Sequence, residues 1–213
     1  NDFVGGLKIL LKENGVITFE FPHLLQLINK NQFDTIYHEH FSYLSLMAVA
    51  PIFAGAGLDI FDVEELSTHG GSLRIFAKHR EDGEKEISIR VKDLLDKEAA
   101  FGLKDLEVYT GFQQKAEKVK NDFTKFLIEA KNEGKTVAGY GAAAKGNTLL
   151  NFAGIKKDLL QFVVDASPHK QNKFLPGVHI PVVDEQRIKK EKPDYIVILP
   201  WNLKDEISAQ LAY

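Results

Sequence analysis

Two short stretches of this 213-residue sequence concentrate the side chains that chemistry needs. The first, Phe33-Asp34-Thr35-Ile36-Tyr37-His38-Glu39-His40-Phe41-Ser42-Tyr43, sets a tyrosine, two histidines and a glutamate side by side. An imidazole with a carboxylate neighbour titrates near neutrality and can take a proton in catalysis, a contribution of about 10²- to 10⁴-fold in rate. Tyr37 can donate a hydrogen bond to an oxyanion, and Glu39 can orient one histidine or polarise the tyrosine. Were the segment extended, His38 and His40 would point the same way, as a pair of metal ligands would. The spacing is not H-E-x-x-H and no third cluster of ligands accompanies it, so no metal is assigned; buried or surface residues satisfied by local hydrogen bonds are the plainer alternative. His69 is a further candidate, because Gly70 and Gly71 would let a ligand approach the backbone, although a hairpin turn explains them almost as well. His23, His79, His169 and His179 read as isolated surface or structural residues.

The second stretch is Gly139-Tyr140-Gly141-Ala142-Ala143-Ala144, a G-x-G-x-x-A run placed after a β-rich segment and at the head of a helical one. Glycine permits the tight turn and a close approach of backbone to a phosphate, and the first-turn amides and dipole of the helix attract the anion. Lys145 adds a full positive charge, and Asn147 can hydrogen-bond a phosphate or sugar, or cap locally. Asp165 ends the next predicted strand 24 residues after Gly141, about where a ribose-binding acid sits in dinucleotide sites. By itself this pattern suggests NAD. It does not distinguish a dinucleotide from the diphosphate of another ligand, and the glycines can equally serve only to let strand and helix pack closely.

Elements must position these residues. The spacing of Phe3, Leu7, Leu10 and Leu11 predicts a helix over residues 3–13, stopped by Asn14-Gly15, and Val16 to Phe21 reads as a buried strand that Pro22 ends before a loop holding the His cluster. A helix over Leu46 to Ala56 and strands over Leu58 to Val63 and Leu73 to Lys78 follow, the last two able to pair as a long hairpin. The charged run Glu81 to Glu86 reads as a surface linker, which sets a domain boundary at 82/83. Beyond it, Val108, Phe112, Ala116, Val119, Phe123, Phe126, Leu127 and Ala130 predict one long amphipathic helix closed by Gly134. Strands at 136–140, 160–165 and 195–199 alternating with a helix at 143–153 imply a parallel sheet with right-handed crossovers. Leu203 to Tyr213 is helical in pattern.

Composition bounds the function. Lys plus Arg number 27 against 30 Asp plus Glu, a net charge of -3, so no overall field draws the chain to nucleic acid. There is no cysteine, which excludes a disulfide scaffold, a thiolate zinc site and a Cys nucleophile from this chain, and suits a reducing, cytoplasmic setting. No long apolar run suggests a membrane partner. With Met47 as the only methionine, Asn1 at the start and a helical pattern running to the end, the sequence reads as a piece of a longer protein.

Taken in order, Tyr37-His38-Glu39-His40, His69-Gly70-Gly71-Ser72-Leu73-Arg74, Gly139 to Asn147 and Val164 to Gln171 resemble the sugar C-methyltransferase family, which methylates nucleotide-linked deoxysugars. The match runs through almost the whole chain. The resemblance implies an α/β fold: the end of a class I methyltransferase-like domain over residues 1–82, then a Rossmann-like parallel-sheet domain over residues 83–213. It implies that His40 is the general base removing the proton next to a sugar ketone, with Tyr37 and Glu39 lining the site and S-adenosylmethionine as methyl donor. His38, His69, Gly70, Gly71, Gly139, Gly141, Ala142, Lys145, Asn147 and Asp165 then fall on the substrate side, the Gly-rich turn facing a nucleoside diphosphate, thymidine diphosphate for example, rather than NAD. Members of the family begin with a zinc-binding cysteine region and a glycine-rich adenosylmethionine loop. Neither is present, so zinc and most of the cofactor pocket are expected outside this chain, which by itself should transfer little or no methyl. Two other readings stand beside this one: an NAD(P)-dependent oxidoreductase built on G-x-G-x-x-A and Asp165, and a non-catalytic nucleotide-sugar binding module.

Overall fold

A computed structural model describes residues 2–212. The chain forms two compact units, one built from the residues up to Gln32 together with Phe41–Phe112, the other from Phe33–His40 together with the residues from Gln113 onward. The units therefore change over at 112/113 rather than at 82/83. The reason is a helix that composition hides: α4 (Ile89–Phe101) carries few apolar residues, yet Val91 and Leu94 are buried with Phe53 and Ile75 in the core of the first unit. Nor is Glu81 to Glu86 a loose linker. Asp82 is buried, accepts the amides of Glu84 and Lys85 and the Lys85 ammonium, and its carbonyl accepts from Lys78 Nζ.

In the first unit, α1 (Asp2–Leu10) ends short of the predicted residue 13, where the amide of Gly15 closes a turn on the carbonyl of Lys12. β1 (Ile17–Pro22), α2 (Leu24–Asn29), α3 (Leu46–Gly55), β2 (Leu58–Leu66) and β3 (Ser72–His79) follow. The predicted β2–β3 hairpin forms. β3 lies between β1 and β2 and runs antiparallel to both, pairing Phe19 with Ile75 and Val63 with Ile75, so that Leu73, Ile75 and Ala77 all turn inward and are fully buried. β1 is not the doubly buried strand expected: it alternates, with Thr18 and Glu20 exposed, and leads directly into α2 instead of an open loop. The rule that ligands gather beyond the carboxyl ends of parallel strands thus does not place the His cluster, because this sheet is antiparallel.

In the second unit the predicted long helix is broken at Gly111 into α5 (Leu106–Thr110), which belongs to the first unit, and α6 (Phe112–Asn132). α6 buries Ala116, Leu127 and Ala130, and Gly134 ends it at φ +73° as expected. The sheet has order β6-β7-β5-β4-β8, from β4 (Val137–Tyr140), β5 (Val163–Val164), β6 (Lys173–Phe174), β7 (Pro181–Val183) and β8 (Tyr195–Ile198). All pairs are parallel except β6 with β7. The strands expected at 136–140, 160–165 and 195–199 are therefore present; β6 and β7, at two and three residues, are too short to show a period. One face carries Leu127 of α6 and Leu150 of α7 (Ala144–Phe152), the other Ile188 of α8 (Gln186–Glu191) and Ile207 of α9 (Lys204–Gln210). α9 covers part of the predicted carboxy-terminal helix, whose last residue, Tyr213, lies outside the described residues. Strand order reverses at β4, which has β5 on one side and β8 on the other. That reversal marks where ligands sit in open α/β sheets. No helix among the described residues is long and apolar enough to cross a membrane.

Candidate active site

The His cluster is rooted in a turn of 3₁₀ helix, Phe33–Thr35, whose three residues are all buried. Phe33 packs on Phe152 of α7, ring centroids 5.5 Å apart. The chain then turns through Tyr37-His38-Glu39, and the amide of His40 returns to the carbonyl of Tyr37 at 3.0 Å. The rings of Tyr37 and His40 lie 4.4 Å apart, tilted by 33°. His40 Nδ1 lies 2.8 Å from the carbonyl oxygen of Thr35. A carbonyl only accepts, so Nδ1 carries the hydrogen and the lone pair of the neutral ring is on Nε2. That is the tautomer a base requires, and a backbone carbonyl sets it, the orienting task that the sequence reading offered to Glu39. Tyr37 and His40 are half-buried, whereas His38 and Glu39 are exposed. Because the segment is turned rather than extended, the alternation that would align His38 with His40 does not arise. Among the described residues no group of three or more His, Asp or Glu is arranged to hold a metal ion.

The Gly-rich turn at the end of β4 is packed from within. A Cβ on Gly139 would lie 2.8 Å from Val163 Cγ2, on Gly141 2.5 Å from Pro200, and on Gly146 2.6 Å from Leu199 Cβ, and Gly141 holds φ +89°. Asp165, 8% exposed, turns back onto the same turn: its Oδ2 accepts the amide of Ala142 at 2.8 Å and the ammonium of Lys170 at 3.1 Å, while Oδ1 accepts the amide of Ser167. Sequence reasoning placed Asp165 on a substrate or a ribose; here it clasps the turn to the end of β5. Ala142 gives its amide to that clasp. Asn147 is engaged locally, its Oδ1 and carbonyl both accepting from Asn151 Nδ2.

Lys145 is the residue whose surroundings sequence could not supply. It is only 8% exposed, its ammonium sits 4.5 Å from the centre of the Trp201 ring, and it donates to Asn202 Oδ1 at 3.1 Å. The Trp201 indole in turn donates to Asp34 Oδ2 at 2.6 Å. Burial lowers the pKa of Lys145, with the nearby charge of Asp34 pulling it back up; burial raises the pKa of Asp34, opposed by the indole N–H and by Lys145. Asp34, Trp201 and Asn202 were all missed. The available signals were that Trp201 is the single tryptophan and that Leu199-Pro200-Trp201 ends the strand across the sheet's point of reversal.

The C-methyltransferase C-terminal domain family matches residues 67–213, which include this turn, Asp165 and Trp201. The chain belongs to the C-methyltransferase family. It is also 36% identical over 207 residues to the C-methyltransferase NovU of Streptomyces niveus. That similarity covers 97% of this chain and 49% of the relative, so the chain spans about half the length of the curated relative it matches. The Tyr37–His40 turn lies ahead of the matched C-terminal domain.

In this C-methyltransferase chain the His69–Gly71 turn belongs to the first unit, while the Tyr37–His40 turn belongs to the second. Three successive residues there take positive φ: His69 at 54°, Gly70 at 91° and Gly71 at 138°. The turn is pinned to the segment around α2. Gly70's carbonyl accepts from Lys30 Nζ and Gln32 Nε2, Gly71's from the amide of His23, and a Cβ on Gly71 would meet Gln26 Cγ at 2.7 Å. Close packing thus accounts for Gly71 and a left-handed backbone for Gly70, and His69 is exposed. His23 is structural as read, yet neither isolated nor on the surface: it is fully buried, with Nε2 2.8 Å from Glu98 Oε1.

Proposed function

We propose that this chain is the carboxy-terminal portion of an S-adenosylmethionine-dependent enzyme that methylates a carbon of a keto-deoxysugar carried on a nucleoside diphosphate, with His40 as the base. The observation that carries the reading is the Nδ1–H of His40 held on the Thr35 carbonyl, which leaves Nε2 to accept a proton. Nε2 takes the proton from the carbon beside the ketone. The C–H electron pair becomes the new C=C bond, and the carbonyl π pair moves onto oxygen. The Tyr37 hydroxyl is the donor of the turn suited to that oxygen, and the exposed Glu39 and His38 face the same substrate. Lys145, with the remaining groups of the Gly139–Asn147 turn, serves the diphosphate.

Adenosylmethionine supplies an electrophilic methyl group. The glycines at 139, 141 and 146 are filled by neighbouring side chains and Ala142 is engaged by Asp165, so this turn is not a cradle for that cofactor. No methyl-transfer step is derived from them, and the family's zinc, whose cysteine ligands this chain does not contain, is assigned elsewhere as well. The same clasp weighs against the nicotinamide reading, which needs Asp165 for a ribose. A cytoplasmic setting accompanies the proposal.

The test is His40→Asn in the full-length enzyme. Wild type should exchange the proton next to the sugar ketone with deuterated solvent and transfer radiolabelled methyl, and the variant should lose about 10²- to 10⁴-fold in both. Unchanged exchange and turnover would leave the binding-module reading in its place. Calorimetry of the 213-residue chain with thymidine diphosphate, NADH and S-adenosylmethionine tests the ligand: saturable binding of the diphosphate, weakened by Lys145→Ala, is expected, and binding of NADH instead would favour the oxidoreductase.

A further inference from the structure

The turn that carries His40 is fixed at its root by three consecutive residues with different attachments, two through side chains and one through its backbone carbonyl, all within the second unit. Phe33 packs on Phe152 of α7, Asp34 accepts the Trp201 indole at 2.6 Å, and Thr35 presents its carbonyl to His40 Nδ1. Asp34 is 6% exposed, and a carboxylate in that setting is expensive unless it holds a partner in place. Trp201 follows the last strand at the sheet's point of reversal, and its other contact is the Lys145 ammonium from the first turn of α7. One contiguous set of contacts therefore runs from the helix of the Gly-rich turn through an indole and a carboxylate to the backbone that sets the tautomer of His40.

We propose that Asp34 is a positioning residue for the reaction, holding the Thr35 carbonyl, and through it the His40 ring, in the orientation proton abstraction needs by anchoring the turn to the Trp201 indole. It touches no reacting atom. The proposal rests on His40 being the base, and it predicts that loosening the anchor misplaces Nε2 while leaving the substrate's grip on the enzyme intact. A displacement of about 1 Å at a reacting group is worth on the order of 10²-fold in rate.

The test uses the full-length enzyme for kinetics and the 213-residue chain, with its single tryptophan, for fluorescence. Asp34→Ala should lower kcat about 10- to 100-fold with KM for the nucleotide sugar within a few-fold of wild type, the split expected of lost positioning. Asp34→Asn, which keeps an acceptor for the indole, should recover most of that loss. Trp201→Phe should match Asp34→Ala, and the double variant should be no worse than either single change, because the two remove one interaction. Trp201 emission should shift in Asp34→Ala and stay near wild type in Asp34→Asn. Should Asp34→Ala fail to fold, Trp201→Phe carries the comparison with Asp34→Asn. Full kcat in Asp34→Ala or in Trp201→Phe, or additive losses in the double variant, would overturn the proposal. Loss of turnover in His40→Asn alongside full kcat in Asp34→Ala would overturn the anchor and keep the base; unchanged turnover in His40→Asn would bring down both.

Discussion

At Gly141 two constraints coincide, a left-handed φ of +89° and a Pro200 ring 2.5 Å from where a Cβ would sit, while Gly146 meets the second alone, 2.6 Å from Leu199 Cβ. Gly146→Ala should therefore cost about 1–3 kcal/mol by overpacking, and Gly141→Ala should cost about 1–2 kcal/mol more from its backbone. Urea denaturation checks both; a loss of diphosphate affinity with stability within ~0.5 kcal/mol of wild type would show instead that the glycines exist for a ligand. Asp34 gives a prediction in pH. Its pKa is raised by burial, so the stability it contributes is complete below the ordinary value of 3.8 and is lost as pH rises through its folded value. The denaturation midpoint of Asp34→Asn should accordingly move upward relative to wild type between pH 3.5 and 7, and movement in the other direction would mean that the indole and Lys145 outweigh desolvation. At this scale part of the candidate site was legible: Tyr37 and His40 do meet, and Lys145 does lie at the Gly-rich turn. Their partners were not. The Thr35 carbonyl has no side-chain signature, and Asp34 meets Trp201 across 167 residues of sequence, a contact that no local spacing encodes.

Most elements with a period or a marked boundary were found, although the long period through Val108 to Ala130 hid the break at Gly111, and α4, with neither, was lost. The β2–β3 hairpin, β4 and α7 show alternation or a glycine boundary and β8 is a short apolar run between Pro193 and Pro200, whereas α4 shows two buried aliphatic residues in a charged background and reads as the region beyond a linker. Yet α4 carries a fully buried carboxylate with three hydrogen-bond partners. Glu98 is fully buried and accepts the amides of Leu46 and Met47 at the start of α3, at 2.7 and 2.8 Å, while Oε1 lies 2.8 Å from His23 Nε2. One carboxylate thus caps α3, where the helix dipole favours negative charge, and holds the residue that precedes α2. Removing it leaves two amides and an imidazole nitrogen without that acceptor in a dry core. Glu98→Ala should cost at least about 1–3 kcal/mol, the cost of leaving a buried donor unpaired, and Glu98→Gln, which retains one acceptor oxygen, should cost less. Thermal or urea unfolding measures the difference; equal costs for the two would show that packing, not hydrogen bonding, is what Glu98 provides.

The first unit has an apolar core around Leu73, Ile75 and Phe53 and the second has one around Leu150, Val163 and Ile180, and the segment 33–40 is assigned to the second unit although both its flanks belong to the first. No reading by sequence proximity could reveal this, since the His cluster sits between β1 and α3 in the chain and Pro22 seemed to open it as a loop of that domain. Phe33 decides it by packing on Phe152 of α7. Local opening follows cooperative units rather than chain order, so the amides of Ile36 and His40, which close turns on Phe33 and Tyr37, should share the fate of the second core. Hydrogen exchange on the 213-residue chain distinguishes the alternatives. Gly146→Ala should speed exchange at Ile36, His40 and the β4 amides while β3 stays protected, and Glu98→Ala should speed β3 while Ile36 and His40 keep their wild-type rates. If Ile36 and His40 respond to Glu98→Ala and not to Gly146→Ala, the Tyr37–His40 turn is governed by the first unit. The Trp201 anchor then could not be what holds His40 in place, because an element secured to the second core would not loosen with the first.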